Sequence, residues 1–257
     1  MKYRAAFFDV DGVLKIPGPQ EDPIKFDKEA LGGLYSLKEK GLRIGYISGK
    51  SAEYVRECAK LSGIYDKNDI YAGENGGVII ISDFIFEYNK QKEDIEKARK
   101  KLEKNKMNGI YEIKLNGYNI PLKEEDKKAS ITLLFDPEIS RMYKDFQDEF
   151  RRYFKDLERS LDFVFGDGYV DIIQKGCNKG YATLYICESL GLNSDEVIAV
   201  GDGENDIPML YIAGFPACPS NSKDDVKAIV INRKGYVARN PVGKGTREIC
   251  EYILENR

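Results

Sequence analysis

Residues 5–8 are apolar without a break, Ala5-Ala6-Phe7-Phe8, and the chain then reads Asp9-Val10-Asp11-Gly12. A short run with no polar alternation suits a strand buried on both faces, the habit of parallel sheets covered by helices. In an extended segment residues i and i+2 point the same way, so Asp9 and Asp11 are aimed together beyond the strand. Two close carboxylates repel unless something cationic compensates. Their hard oxygens suit a divalent ion such as magnesium. Such a pair can also divide labour, one carboxylate as nucleophile and the other as proton donor.

Strand and helix alternate through the first third. Asp27 predicts an N-cap for a helix running to Lys40, with Leu31, Leu34, Tyr35 and Leu37 inward and Gly41 as the stop. Leu42–Ile47 predicts a second strand. Ser51 caps a helix carrying Val55, Cys58 and Ala59 that closes at Gly63. Ile70–Ala72 and Val78–Ile81 read as short strands around Gly73-Glu74-Asn75-Gly76-Gly77. This alternation implies an α/β chain with a parallel sheet.

The pattern changes near Ser82 and Asp83. Residues 90–106 predict a helix with a thin apolar stripe, Ile95, Ala98 and Leu102. Strands follow at Ile110–Leu115 and Ser130–Phe135. A helix from Pro137 then carries Met142, Phe146, Phe150, Tyr153 and Leu157 inward, before a strand at Phe163–Phe165. Core-like alternation returns at Val170–Ile173. A helix over Asn178–Leu190 stops at Gly191, and Val197–Val200 is an all-apolar strand that leads into Gly201-Asp202-Gly203-Glu204-Asn205-Asp206. A helix over Thr246–Leu254 closes the chain. The expected organisation is a Rossmann-like core in two parts, 1–83 and 169–257, with an α+β unit inserted at 84–168.

The chain has 257 residues and no histidine, which excludes Ser-His-Asp and Cys-His catalysis and any histidine-ligated zinc. Chemistry must run on carboxylates, lysines, hydroxyls, backbone amides and a hard metal. A net charge of −3 argues against a nucleic-acid binder that works by bulk positive charge. No apolar run approaches the roughly 18 residues that span a bilayer. Met1-Lys2-Tyr3-Arg4 runs straight into the first strand, so no signal peptide is expected. The five cysteines, with no Cys-x-x-Cys pair, suit a reducing cytoplasm. A homodimer is compatible with all of this, but nothing in the sequence selects it.

Four polar groups fall where α/β sheets bind ligands, beyond the carboxyl ends of strands. They are Asp9 with Asp11, Ser48-Gly49-Lys50-Ser51, Lys179 at a helix start, and Asp202 to Asp206. Taken singly, each has a plainer reading. Asp9–Gly12 could be a turn, Ser48 a cap, Lys179 a solvated helix lysine, and Glu74–Gly77 a tight turn. Neither acidic cluster is an EF-hand, since Val13 and Ile207 stand where that loop needs an acid and a glycine. Gly45 to Ser51 is one residue short of a Walker A loop, and Gly45 lies inside the strand. The joint order carries the weight: two acidic clusters, a hydroxyl and a lysine suit a phosphate held against a metal.

That order resembles the haloacid dehalogenase-like (HAD) hydrolases: Asp9-x-Asp11-Gly12, then Ser48-Gly49, then Lys179, then Gly201-Asp202-Gly203-Glu204-Asn205-Asp206. Glu74-Asn75-Gly76-Gly77 is similar to a turn of members with a large inserted cap. The chain as a whole is similar to the archaeal phosphoglycolate phosphatase and sucrose-phosphate phosphatase branch. Asp126-Lys127-Lys128-Ala129-Ser130 sits where that branch has a basic residue before a cap strand. The resemblance implies a Mg²⁺-dependent phosphatase for a small phosphorylated metabolite. Asp9 would be the nucleophile and Asp11 the acid and base. Asp9, the Asp11 carbonyl and Asp202 would hold Mg²⁺, with Asp206 in support. Ser48, with Gly49, and Lys179 would bind phosphoryl oxygens, and Asn205 would position Asp202 or the phosphate. The inserted block would read the leaving group, with Lys127, Lys128 and Arg141 as candidates.

Gly243 to Cys250 looks like the tail of capless 3-deoxy-octulosonate 8-phosphate phosphatases, which brings a sugar-acid phosphate into view. A phosphomutase of the phosphomannomutase kind would use the same nucleophile but shield the phosphoaspartate from water. A phosphate-binding regulator is the poorer reading, because every group needed for turnover is present.

Overall fold

The computed structural model describes residues 2–16, 24–82, 84–115, 117–125, 127–142 and 145–256, with the side chains of 140–142 left aside. Asp83, Asp126 and the side chains of Arg141 and Met142 therefore lie outside the described residues. The chain divides into two compact units, Met1–Phe86 with Asn178–Arg257, and Glu87–Cys177.

The first unit starts with β1 (Ala5–Phe8), α1 (Lys28–Glu39), β2 (Arg43–Ile47) and α2 (Ala52–Leu61). Asp27 accepts from the Glu29 N–H and Ser51 from the Tyr54 N–H, so both helices start on the side chains expected to cap them. β3 (Ile70–Gly73), β4 (Val78–Ile81) and β5 (Phe84–Glu87) follow. In the second unit come α3 (Lys92–Glu103), β6 (Lys106–Met107), β7 (Ile110–Leu115), β8 (Tyr118–Glu125), β9 (Ile131–Leu134), α4 (Pro137–Met142), α5 (Phe146–Tyr153), β10 (Leu161–Gly166) and β11 (Tyr169–Gln174). The first unit resumes with α6 (Lys179–Leu190), β12 (Val197–Val200), α7 (Ile207–Ile212), β13 (Phe215–Cys218), α8 (Asp224–Asn232), β14 (Tyr236–Val237) and α9 (Val242–Asn256).

Eight strands of the first unit form one sheet in the order β14-β13-β12-β1-β2-β3-β4-β5. Every pairing from β14 across to β3 is parallel, and β4 turns back antiparallel on β3. β1 and β12 are buried along their whole length, as strands covered by helices on both faces must be. Their register, Phe8 beside Val200, brings the next residues of both strands out at one edge.

Six strands of the second unit form a largely antiparallel sheet, β10-β11-β9-β8-β7-β6. Alternate residues of β7 (Tyr111, Ile113 and Leu115) are buried with Phe146 and Phe150 of α5.

Several expectations are corrected here. Val170–Ile173 does not rejoin the first sheet: β11 pairs antiparallel with β10 and β9. Its alternation marks a buried face but not which sheet owns it. The helix expected from Pro137 is two helices, and Leu157 lies in a separate single turn at Lys155–Leu157. Tyr35 points outward, 44% exposed, and its hydroxyl donates to the Gly63 carbonyl. The helix expected to open after Asp202–Asp206 is α7, whereas β5, β6, β8, β13, β14 and α8 were not anticipated.

Candidate active site

Parallel register places the acidic clusters side by side. Asp9 follows β1 and donates its N–H to the Val200 carbonyl at 2.9 Å, so the first residue past one strand is tied to the last of its neighbour. Among the described residues, the carboxylates of Asp9, Asp202 and Asp206 each offer an oxygen within 4.8 Å of the others. Lys179 opens α6, after the Asn178 cap accepts from the Tyr181 N–H. Its ammonium reaches Asp9 Oδ1 at 2.7 Å and Asp206 Oδ1 at 2.6 Å, and it is 0% exposed. A lysine with no solvent contact can keep its charge only against partners such as these.

Asp206 is fully occupied by donors. Oδ1 takes Lys179, and Oδ2 accepts the N–H groups of Asp202 (2.8 Å) and Gly203 (2.9 Å). It therefore shapes the 201–206 loop and holds the lysine. Asp11, partly buried, is ion-paired with the buried Lys15. Gly12 must be glycine: its φ is +79°, and a Cβ there would lie 2.0 Å from Asp202 Oδ2.

Ser48 follows β2, buried, and its Oγ accepts the Lys50 N–H at 3.2 Å. Its carbonyl accepts the Asn75 N–H at 2.9 Å, which ties the β2 end, Gly49 included, to the 74–77 turn. That turn carries two consecutive non-glycine residues in the left-handed region, Glu74 (φ 55°) and Asn75 (φ 56°). Backbone of this kind is held only when its surroundings over-determine it. Here Asn205 Nδ2 donates to Asn75 Oδ1 at 3.2 Å. The structure thus brings Asp9, Lys179, Asp202 and Asp206 into one cluster, and pairs Asn205 with Asn75.

Two residues escaped the sequence reading. Asn221 Nδ2 donates to the Gly12 carbonyl (3.0 Å) and to Asp202 Oδ2 (3.3 Å), while its Oδ1 accepts the Val242 N–H (2.7 Å). It stands three residues past β13, a strand-end position that could have flagged it. Lys15 offers no comparable signal. In the second unit Lys127 is buried, 3.4 Å from Asp171 and bonded to Thr132, so its charge is already engaged there. Lys128 is exposed.

The electrostatics favour a cation. Burial, then Asp206 and Asp202, push the Asp9 carboxyl well above the usual carboxylate range, with Lys179 opposing. Burial and Asp206 raise Asp202 to about 7. Burial works against the Lys179 charge, but Asp206 and Asp9 outweigh it and lift the lysine above its ordinary value. Asp9, Asp11, Asp202 and Asp206 face the two ammonium groups of Lys15 and Lys179, which leaves two formal negative charges. All the donors are hard oxygens. One divalent cation of the Mg²⁺ class fits both the charge and the chemistry.

A family model of the haloacid dehalogenase-like hydrolases matches residues 6–242. The chain belongs to that family. It is an enzyme, a HAD-type hydrolase. It is 28% identical to a phosphoglycolate phosphatase of Methanopyrus kandleri, covering 86% of this chain and 87% of that one. It is 29% identical to a phosphoglycolate phosphatase of Thermoplasma volcanium, over 85% and 86% of the two chains. A solved Thermoplasma acidophilum protein superposes with a TM-score of 0.70 at 23% identity, over 98% of each chain. A HAD subclass IIB sugar phosphatase gives 0.68 at 18%, again over 98% of each. These two likenesses speak for the HAD fold.

Proposed function

We propose that this HAD hydrolase cleaves a small phosphomonoester, phosphoglycolate or a sugar phosphate, through an aspartyl-phosphate on Asp9. The observation that carries the proposal is the buried Asp9–Lys179–Asp206 arrangement with Asp202 alongside. A nucleophilic carboxylate that approaches an anionic phosphate needs fixed positive charge around it. Lys179 supplies one such charge at 2.7 Å from Asp9.

Mg²⁺ would be held by Asp9, Asp202 and the Asp11 carbonyl, and when bound it would neutralise charge on the phosphoryl oxygens. Asp9 attacks phosphorus and the bond to the leaving oxygen breaks. Asp11 gives that oxygen its proton. Asp11 then takes a proton from the attacking water, the phosphorus–Asp9 bond breaks, and inorganic phosphate leaves with Asp9 restored. Ser48 and the amides after it would hold phosphoryl oxygens. Asp206 keeps Lys179 and the 201–206 loop in place.

The relatives named as phosphoglycolate phosphatases put that substrate first among candidates. The five cysteines are buried and form no disulfide, in keeping with a reducing cytoplasm. A panel of phosphorylated metabolites with Mg²⁺, scored by phosphate release, tests the reading. Asp9→Asn should abolish turnover, and full activity in that variant would sink it. Interconversion of hexose 1- and 6-phosphates without phosphate release would assign a mutase instead.

A further inference from the structure

We propose that Lys15 is a positioning residue for Asp11, a role that rests on the acid and base assignment above. Asp11 sits in a short loop closed on itself by backbone bonds. The N–H groups of Leu14 (2.9 Å) and Lys15 (3.1 Å) both donate to the Val10 carbonyl, and the Gly12 N–H donates to the Lys15 carbonyl at 2.8 Å. Both backbone polar groups of Lys15 are thereby held, and its side chain turns back onto Asp11 Oδ1.

Burial separates this contact from an ordinary surface pair. The Lys15 side chain is 3% exposed and that of Asp11 22%. An exposed pair gives its partner freedom to swing and contributes little. A buried ammonium has few other acceptors, so it holds the carboxylate it meets. Asp11 Oδ1 is therefore anchored on the buried ammonium. A proton donor must be placed within hydrogen-bond reach of the reacting oxygen, so an anchor of this kind bears on rate rather than on substrate affinity.

The experiment compares wild-type, Lys15→Met and Lys15→Arg enzymes on two substrates. One is an alkyl phosphate whose leaving oxygen needs a proton. The other is p-nitrophenyl phosphate, whose leaving group does not. General acid catalysis contributes ~10²–10⁴-fold, so losing the anchor should lower kcat on the alkyl ester by roughly tenfold or more. KM should stay within about twofold, the loss on the aryl ester should be several-fold smaller, and Lys15→Arg should recover part of the alkyl rate. An equal loss on both esters, a loss confined to KM, or no loss would overturn the proposal. Should Lys15→Met fail to fold, Lys15→Gln, which retains a donor, is measured against Lys15→Arg on the same pair of esters. Equal ester ratios in those two variants would again reject the anchor. Wild-type enzyme without phosphatase activity, or active Asp9→Asn, would instead reject the assignment on which the role of Lys15 depends.

Discussion

Lys179→Met keeps most of the side chain's apolar stem and removes its ammonium group. In the native unit that charge lies 2.7 Å from Asp9 and 2.6 Å from Asp206, with no exposure to water. Removing one partner of a buried ion pair costs roughly 3–5 kcal/mol, because the remaining charge is left uncompensated. At about 2–4 °C per kcal/mol for a chain of this size, the transition of the first unit should fall by roughly 6–20 °C. The penalty is one of charge, so it must depend on proton concentration. Without lysine, Asp9 and Asp206 repel each other, and proton uptake relieves them as pH falls. Melting in chelator should therefore show a wide gap between variant and wild type near pH ~8 and a narrow gap near pH ~5. Millimolar Mg²⁺ should restore part of the loss at the higher pH. A drop of the same size at both pH values would mean that lost packing dominates, and no drop near pH ~8 would refute the electrostatic account of the site.

The wild-type enzyme should itself lose stability in chelator as pH rises. Asp202 titrates at about 7 in the fold against an ordinary 3.8, so the folded state binds the extra proton, and that stabilisation, full below 3.8, disappears as pH passes through about 7. Mg²⁺ competes for the same oxygens, so its affinity, measured by calorimetry, should rise between pH ~6 and ~8. Gly12→Ala places a methyl 2.0 Å from Asp202 Oδ2 on a backbone at φ +79°, so the variant should melt lower by at least ~1–2 kcal/mol and lose its response to Mg²⁺ in the same scan. Asn221→Ala removes three hydrogen bonds at the Gly12–Asp202–Val242 junction, for a cost of about 1–3 kcal/mol and a several-fold weaker Mg²⁺ affinity by titration. An unchanged affinity would confine Asn221 to holding the start of α9.

The core of the first unit was legible because its strands are short, unbroken apolar runs that end in polar clusters. Ala5–Phe8 and Val197–Val200 could hardly be anything else, and their parallel pairing follows from the helices between them. β8 was not legible for a specific reason. It contains Pro121 and ends in Lys123-Glu124-Glu125, which reads as loop. The structure tolerates the proline because, among the described residues, β9 pairs with 123–125, while Pro121 is registered against Glu112 of β7. β11 shows the opposite failure: a correct strand assigned to the wrong sheet, because a buried face carries no label of its partner.

At the site, legibility tracked the distance between a residue and its partner. Asp9 and Asp11 announce each other across one residue. Lys179 alone looks like a solvated helix lysine; only its place in an ordered set of strand ends singled it out. Its complete burial against Asp206, 27 residues on, is a tertiary fact. Lys15 lies four residues from Asp11, the spacing of a helical pair, yet the segment is a closed turn, so neither helical nor strand periodicity applies. Its importance depends on burial, which no local pattern encodes. A chain that spends a buried lysine on each of two carboxylates separated by one residue has fixed both side chains independently. Asp9 is held by an element 170 residues away and Asp11 by its own loop. Perturbing one anchor should therefore leave the other intact, and the double variant Lys15→Met with Lys179→Met should show stability losses that add to within about 0.5 kcal/mol. A larger coupling, read from the four melting curves of the cycle, would show that the two carboxylates share one electrostatic unit.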